Sequence, residues 1–154
     1  MIIRKGTART KSGGGDSTGL FETASFSDTA GIKQYGAYLQ TLQPGTKSST
    51  RHWHEKEDEF LFVVSGRVTI VENDGPHVLE PGDAACWPAG VPNAHHAINH
   101  TDEPCSYLMV GTRLTHDVCH YPDVGKTLYT EGEDWRVEDA SGKVLKGGKV
   151  EPEW

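Results

Sequence analysis

At 154 residues, with 35% hydrophobic content and a mean hydropathy of −0.55, the chain has room for one hydrophobic core and not comfortably for two. No apolar run approaches the roughly 18 residues of a membrane-spanning helix, so no membrane role is expected. A net charge of −7 argues against a nucleic-acid partner, which needs clustered cations to displace phosphate counterions; the cationic stretch from Arg4 to Lys11 is short.

In chain order, residues 1–32 contain Gly13-Gly14-Gly15, several Ser and Thr, and little periodicity. They read as an N-terminal arm, ordered by packing on the rest of the fold or on a partner chain. The arm lacks the apolar segment of a secretory signal, so a cytoplasmic location is expected. From Ile32 onward, short runs of β-branched and aromatic residues alternate with Pro and Gly. The predicted strands are Tyr35–Leu42, Ser49–His54, Glu59–Val64, Arg67–Glu72, His77–Leu79, Ala84–Trp87, His95–Asn99 and Ser106–Thr112. Ser65-Gly66 has the length and composition of a tight hairpin turn, and Asn73-Asp74-Gly75 tolerates positive φ. Such a rhythm, without helical periods, predicts an all-β sandwich or barrel. In the tail, Trp135–Glu138 and Lys143–Lys146 flank Asp139-Ala140-Ser141-Gly142 and predict a further hairpin. The expected organisation is an arm at 1–32, a β-barrel at 33–115 and a C-terminal extension at 116–154 that packs on the barrel or on a partner.

The cysteines Cys86, Cys105 and Cys119 are odd in number and irregularly spaced. This argues against a disulfide framework and against a cysteine zinc site, and they read as small buried hydrophobes or surface thiols. Chemistry concentrates in Arg51-His52-Trp53-His54-Glu55-Lys56-Glu57-Asp58-Glu59. In a strand, residues two apart share a face, which puts the Cα atoms of His52 and His54 about 6.5 Å apart on one side. Glu59 opens an apolar strand, where a carboxylate is costly to bury without a cation or donors. By itself the His-x-His pair fits an exposed strand as well as a metal site. The segment from Gly82 to Asn99 adds weight, because His95, Ala97 and Asn99 share a face opposite to His96 and Ile98. A third imidazole can then reach the same interior. Three neutral imidazoles and a carboxylate suit Mn, Fe, Co, Ni, Cu or Zn better than Ca or Mg.

These residues resemble the cupin superfamily, whose first motif runs G-x5-HxH-x3,4-E-x6-G; here it is Gly45, His52, His54, Glu59 and Gly66. The second motif, G-x5-P-x-G-x2-H-x3-N, is matched by Gly82, Pro88, Gly90, His95 and Asn99. There are two departures. Gly45 and His52 are separated by six residues rather than five, and Gly90 and His95 by four rather than two. Strict spacing would put Asn93 at the metal position. A two-residue insertion restores His and Asn together, with His96 as the outside alternative. The resemblance covers about residues 34–112. It implies a single cupin jelly-roll barrel holding one divalent transition-metal ion through His52, His54, Glu59 and His95. The stretch from Trp87 through Tyr121-Pro122-Asp123 is similar to small bacterial single-barrel cupins labelled sugar-phosphate-isomerase-like.

The resemblance thus implies a metal-dependent enzyme acting on a small oxygenated molecule, either an isomerase of sugars or sugar phosphates or a dioxygenase. The alternative is a non-catalytic ligand binder or sensor. An isomerase needs a base near the substrate carbon, for which His96 and Glu57 are the candidates. A phosphorylated substrate also needs clustered cations, and only Arg51, Arg67 and Arg113 stand near the motifs. Trp53 and Trp87 read as packing aromatics, and His77 as exposed. A second metal site from His100, His116 and His120 is not expected. Arg67, Tyr38 and Cys86 are possible pocket residues whose facing the pattern leaves open. Edge strands and the two terminal segments make a homodimer the expected assembly.

Overall fold

The computed structural model describes residues 1–13 and 18–149. Gly14 and Gly15 of the glycine run, and the end of the tail at 150–154, lie outside the described residues. The elements are, in chain order, β1 (Arg9–Gly13), β2 (Phe21–Ser25), the short helix α1 (Phe26–Ala30), β3 (Tyr35–Leu42), β4 (Trp53–His54), β5 (Glu59–Ser65), β6 (Val68–Glu72) and β7 (Gly75–Leu79). They continue with β8 (Ala84–Trp87), β9 (His96–Ile98), β10 (Cys105–Thr112), β11 (His116–Tyr121), β12 (Lys126–Glu131), β13 (Asp134–Asp139) and β14 (Val144–Lys149). The architecture is all-β, built from several antiparallel sheets.

Among the described residues the strands form a six-stranded sheet, β1-β2-β3-β10-β5-β8, a five-stranded sheet, β14-β13-β12-β11-β4, and a three-stranded sheet, β7-β6-β9. The named strands pair antiparallel. No sheet closes on itself through its own ladder. The enclosure comes from the sheets facing one another, with backbone bridges such as His52 to His95 joining them.

Alternation along β5 explains the core. Leu61 and Val63 point inward at 2% and 0% exposure, whereas Phe60, Phe62 and Val64 point outward. The inward set joins Leu42, Val68, Ile70, Trp87, Ala97, Cys105 and Tyr107 in one cluster. Full burial of an aliphatic side chain contributes about 1.5–3 kcal/mol. Buried polar groups are satisfied: the Tyr107 hydroxyl donates to Gln40. The Ser65-Gly66 turn holds Gly66 at φ 69°, and a Cβ there would meet the Pro104 carbonyl at 2.7 Å, so glycine is required on both counts.

The N-terminal segment, expected to be ordered by packing on the rest of the fold, is built into the six-stranded sheet. Its Thr- and Ser-containing segments are strands because β2 pairs with β3 and β1 pairs with β2. Ser25 caps α1. Such strands draw their stability from cross-strand partners rather than from their own hydrophobic pattern. The predicted tail hairpin is present as β13 and β14, whereas β11 and β12 had not been predicted as strands. The predicted strand Ser49–His54 is reduced to β4 and the His52 bridge.

Candidate metal centre

The expected ligands gather around Glu59. Glu59 is the first residue of β5 in the six-stranded sheet, and His54 lies on β4 in the five-stranded sheet. His52 and His95 exchange backbone hydrogen bonds of 3.1 and 2.9 Å just before β4 and β9. The structure brings all of these side chains together. The Nε2 atoms of His52, His54 and His95 stand 3.9, 3.8 and 2.8 Å from the same Glu59 Oε2. The His52 ring centroid is 5.2 Å from that of His54 and 5.3 Å from that of His95.

The opposite nitrogen of each ring has an acceptor. His52 Nδ1 donates to the Thr50 carbonyl at 2.9 Å, His95 Nδ1 to the Asn93 carbonyl at 3.0 Å, and His54 Nδ1 to Asp117 Oδ2 at 2.6 Å. A neutral imidazole that donates through Nδ1 presents an Nε2 lone pair. With all three rings neutral, three such lone pairs face one carboxylate oxygen, a repulsion relieved either by an ion at their centre or by a proton on Nε2, as at His95, whose Nε2 is 2.8 Å from Oε2. Donors bonded at about 2.0–2.2 Å to one ion sit about 3 Å apart, and the observed spacing is of that order. Acceptors of this kind on the far ring nitrogen are how metal-binding imidazoles are held in orientation.

Burial and neighbouring charges act differently on the rings. Burial lowers the His52 pKa below its usual value and keeps the ring neutral. Burial opposes charge on His54 as well, but Cys119, Glu59 and Asp117 around it outweigh that and raise its pKa to about 10. Burial would push Glu59 up, yet the hydrogen bond from His95 and the surrounding imidazoles hold it below the usual carboxylate range. The cluster favours a positive charge at its centre.

The four-residue interval from Gly90 to His95 is accommodated by anchoring. Asn93 accepts from the Asn73 backbone at 3.1 Å, and Asn73 donates to the Pro92 carbonyl at 2.7 Å. Asn93 therefore supports His95 through its carbonyl. Gly90, at φ 77°, donates its N–H to the His54 carbonyl at 2.9 Å. Asn99 is fully buried, donating to the carbonyls of Leu42 and Glu103 and accepting from Thr101. Its role is to close a loop.

His96 turns to the other face of β9, its Nδ1 on the Ser49 carbonyl at 3.1 Å. Glu57 accepts from the Leu114 N–H at 2.6 Å and stands 3.9 Å from His54 Nδ1, the far side of that ring; burial raises its pKa. Trp87 stacks on His95 at 3.7 Å and donates to Glu72 at 2.6 Å, while Trp53 stacks on His120. Tyr38 is close enough to Glu59 for its charge, together with burial, to raise the phenol's pKa. Arg67 lines a surface recess with Glu80, Asp102 and Glu103. Arg51 is held by Asp123 at 2.7 and 3.0 Å, and Arg113 by Asp28 at 2.6 Å. His77 is exposed and pairs with Asp74. The cysteines are free, with Cys86 exposed and Cys105 and Cys119 buried.

Sequence reasoning missed β11. Its alternate residues Asp117, Cys119 and Tyr121 meet the cluster: Asp117 on His54, Cys119 beside His52 and His54, and Tyr121 with its ring 5.6 Å from that of His52. The available signal was the alternation in His116-Asp117-Val118-Cys119-His120-Tyr121, which carries no apolar face and so did not read as a strand.

No curated protein matches the chain. A family model described as a cupin domain matches residues 38–111. A Silicibacter pomeroyi structure described as a sugar phosphate isomerase from a cupin superfamily is 29% identical, with a TM-score of 0.85, over 97% of this chain and 99% of its own. A protein from Acidithiobacillus ferrooxidans, also named as a sugar phosphate isomerase, is 30% identical with a TM-score of 0.77, over 82% of this chain and 81% of its own. A Thermotoga maritima protein named as an oxalate decarboxylase shares the fold, with a TM-score of 0.63 at 20% identity over 74% of this chain and all of its own. With both motifs in place and their side chains converging, the chain belongs to the cupin superfamily.

Proposed function

We propose that His52, His54, Glu59 and His95 hold one divalent transition-metal ion, and that the chain is a metal-dependent enzyme acting on a small oxygenated molecule. The observation that carries this reading is the convergence of three Nε2 atoms on one Glu59 oxygen, each ring donating through Nδ1 to a separate acceptor. When bound, the ion acts as a Lewis acid toward an oxygen atom of the substrate. Glu59 supplies the compensating negative charge, and the Thr50, Asn93 and Asp117 acceptors keep the rings turned inward.

Isomerisation of a sugar or sugar phosphate is the preferred subclass, supported by the names of the two relatives at 29% and 30% identity. Arg51 and Arg113 are already engaged by Asp123 and Asp28, which favours the unphosphorylated member of that class. A base is still required. Glu57 is the stronger of the two candidates because it is adjacent to the His54–Asp117 pair, and His96, on the outer face of β9, is the weaker.

The test is elemental analysis of the purified protein and of the His52→Ala, His54→Ala double variant, followed by assays of aldose–ketose interconversion and, with iron(II), of dioxygen uptake. Stoichiometric metal in the wild type and its loss in the double variant are expected. Equal metal content in both would sink the centre. Bound metal without turnover of any such substrate would leave a ligand-binding role instead.

The protein is further proposed to work in the cytoplasm, where buried thiols such as Cys105 and Cys119 stay reduced. It is also proposed to form a homodimer. The outward face of the six-stranded sheet carries Phe60, Phe62 and Val64, with Leu108 and Leu39 in register with Phe62, an apolar band of the kind that covers an interface. Phe62→Lys is expected to shift the protein toward monomer in sedimentation; an unchanged dimer would place the interface elsewhere.

A further inference from the structure

Cys119 is 3% exposed, and burial alone is ordinary for a cysteine. Its surroundings are not. It is paired in register with His54, and it lies on the same face of β11 as Asp117 and Tyr121, which both meet the imidazole cluster. Its Sγ and one ring nitrogen from each of His52 and His54 all lie within 4.8 Å of one another. The other two thiols are placed differently: Cys86 is exposed on β8, and Cys105 lies in the apolar core beside the Gly66 turn.

We infer that Cys119 is a further donor to the metal centre. The inference rests on the metal-binding reading of His52, His54, Glu59 and His95 given above. With an ion bound, Cys119 would hold it as a thiolate, its S–H proton having gone to solvent. Bonds of about 2.3 Å to sulfur and 2.0–2.1 Å to nitrogen put adjacent donors about 3 Å apart around a five- or six-coordinate ion. The consequence is selectivity: a thiolate among the donors favours zinc, cobalt, iron or copper over manganese. It also takes up a position that the other four donors would leave to substrate. The sulfur comes from β11, outside the matched family segment 38–111, so this donor belongs to the C-terminal extension.

The experiment loads full-length wild type and Cys119→Ser with cobalt(II) and records metal content and the near-ultraviolet spectrum. Stoichiometric cobalt with an intense sulfur-to-cobalt band in the wild type, and equal cobalt without the band in Cys119→Ser, supports the inference. Stoichiometric cobalt with no band in the wild type, or a band that survives in Cys119→Ser, overturns Cys119 as a donor and leaves the His52, His54, Glu59, His95 centre standing. No cobalt uptake by the wild type overturns both. X-ray absorption of the zinc-loaded wild type needs no variant, and shows a sulfur neighbour at about 2.3 Å if Cys119 binds or only nitrogen and oxygen neighbours if it does not.

Discussion

His52 and His95 are oriented from within their own segments, each ring donating to the carbonyl two residues earlier, Thr50 and Asn93. The two segments are then fastened to each other by reciprocal backbone hydrogen bonds. His54 is held differently, by Asp117, which is 63 residues away on β11 and also accepts from the Lys56 N–H at 3.0 Å. The first arrangement uses backbone carbonyls as acceptors, which a substitution at position 50 or 93 does not itself remove. The second hangs on one carboxylate in a strand that lies beyond the matched family segment. One candidate centre therefore combines a pair of imidazoles fixed by local geometry with a third fixed by long-range tertiary structure, and the two should respond differently to substitution.

The largest expected effect removes both kinds of imidazole at once: the His52→Ala, His54→Ala double variant should lose its metal entirely by elemental analysis. Next, His95→Ala should lose most of its metal while His96→Ala keeps it, because only His95 faces Glu59. The reverse order in the two metal contents would place the third imidazole at position 96.

Asp117→Ala should weaken metal binding 10–100-fold, the usual cost of losing such a carboxylate partner. Asp117→Asn, whose side-chain oxygen can still accept the Nδ1 proton, should lose less. Competition titration with a chelator measures both, and equal affinity of Asp117→Ala and wild type would mean that His54 needs no partner on β11.

The smallest effect on the centre is expected from Asn99→Ala. Removing a buried amide that serves Leu42, Thr101 and Glu103 should cost about 1–3 kcal/mol of stability in denaturant unfolding, with metal stoichiometry unchanged. Loss of metal in a folded Asn99→Ala protein would instead tie this motif residue to the ligands.

Much of this was legible before any coordinates. An all-β sandwich or barrel was legible from alternation. The jelly roll and the set His52, His54, Glu59 and His95 came as what the resemblance to the two motifs implies, with His95 preferred to Asn93 because a two-residue insertion restores His and Asn together. The arm's strands were not legible, because Thr23 and Ala24 gain their place by pairing with Gln40 and Leu39 of β3, not through a hydrophobic pattern of their own. The same holds for β11, where Asp117 and Cys119 alternate with Val118 and His120 and no face reads as core.

The amino-acid sequence by itself determined which side chains share a face, because the two-residue period of a strand is a local property that each segment carries without its neighbours. Only the tertiary structure decided which strand would cover the imidazoles from the far side, and so placed Asp117, Cys119 and Tyr121 against them. Pairing between β4 and β11 depends on contacts between residues such as His54 and Cys119, and no local pattern encodes a partner that distant.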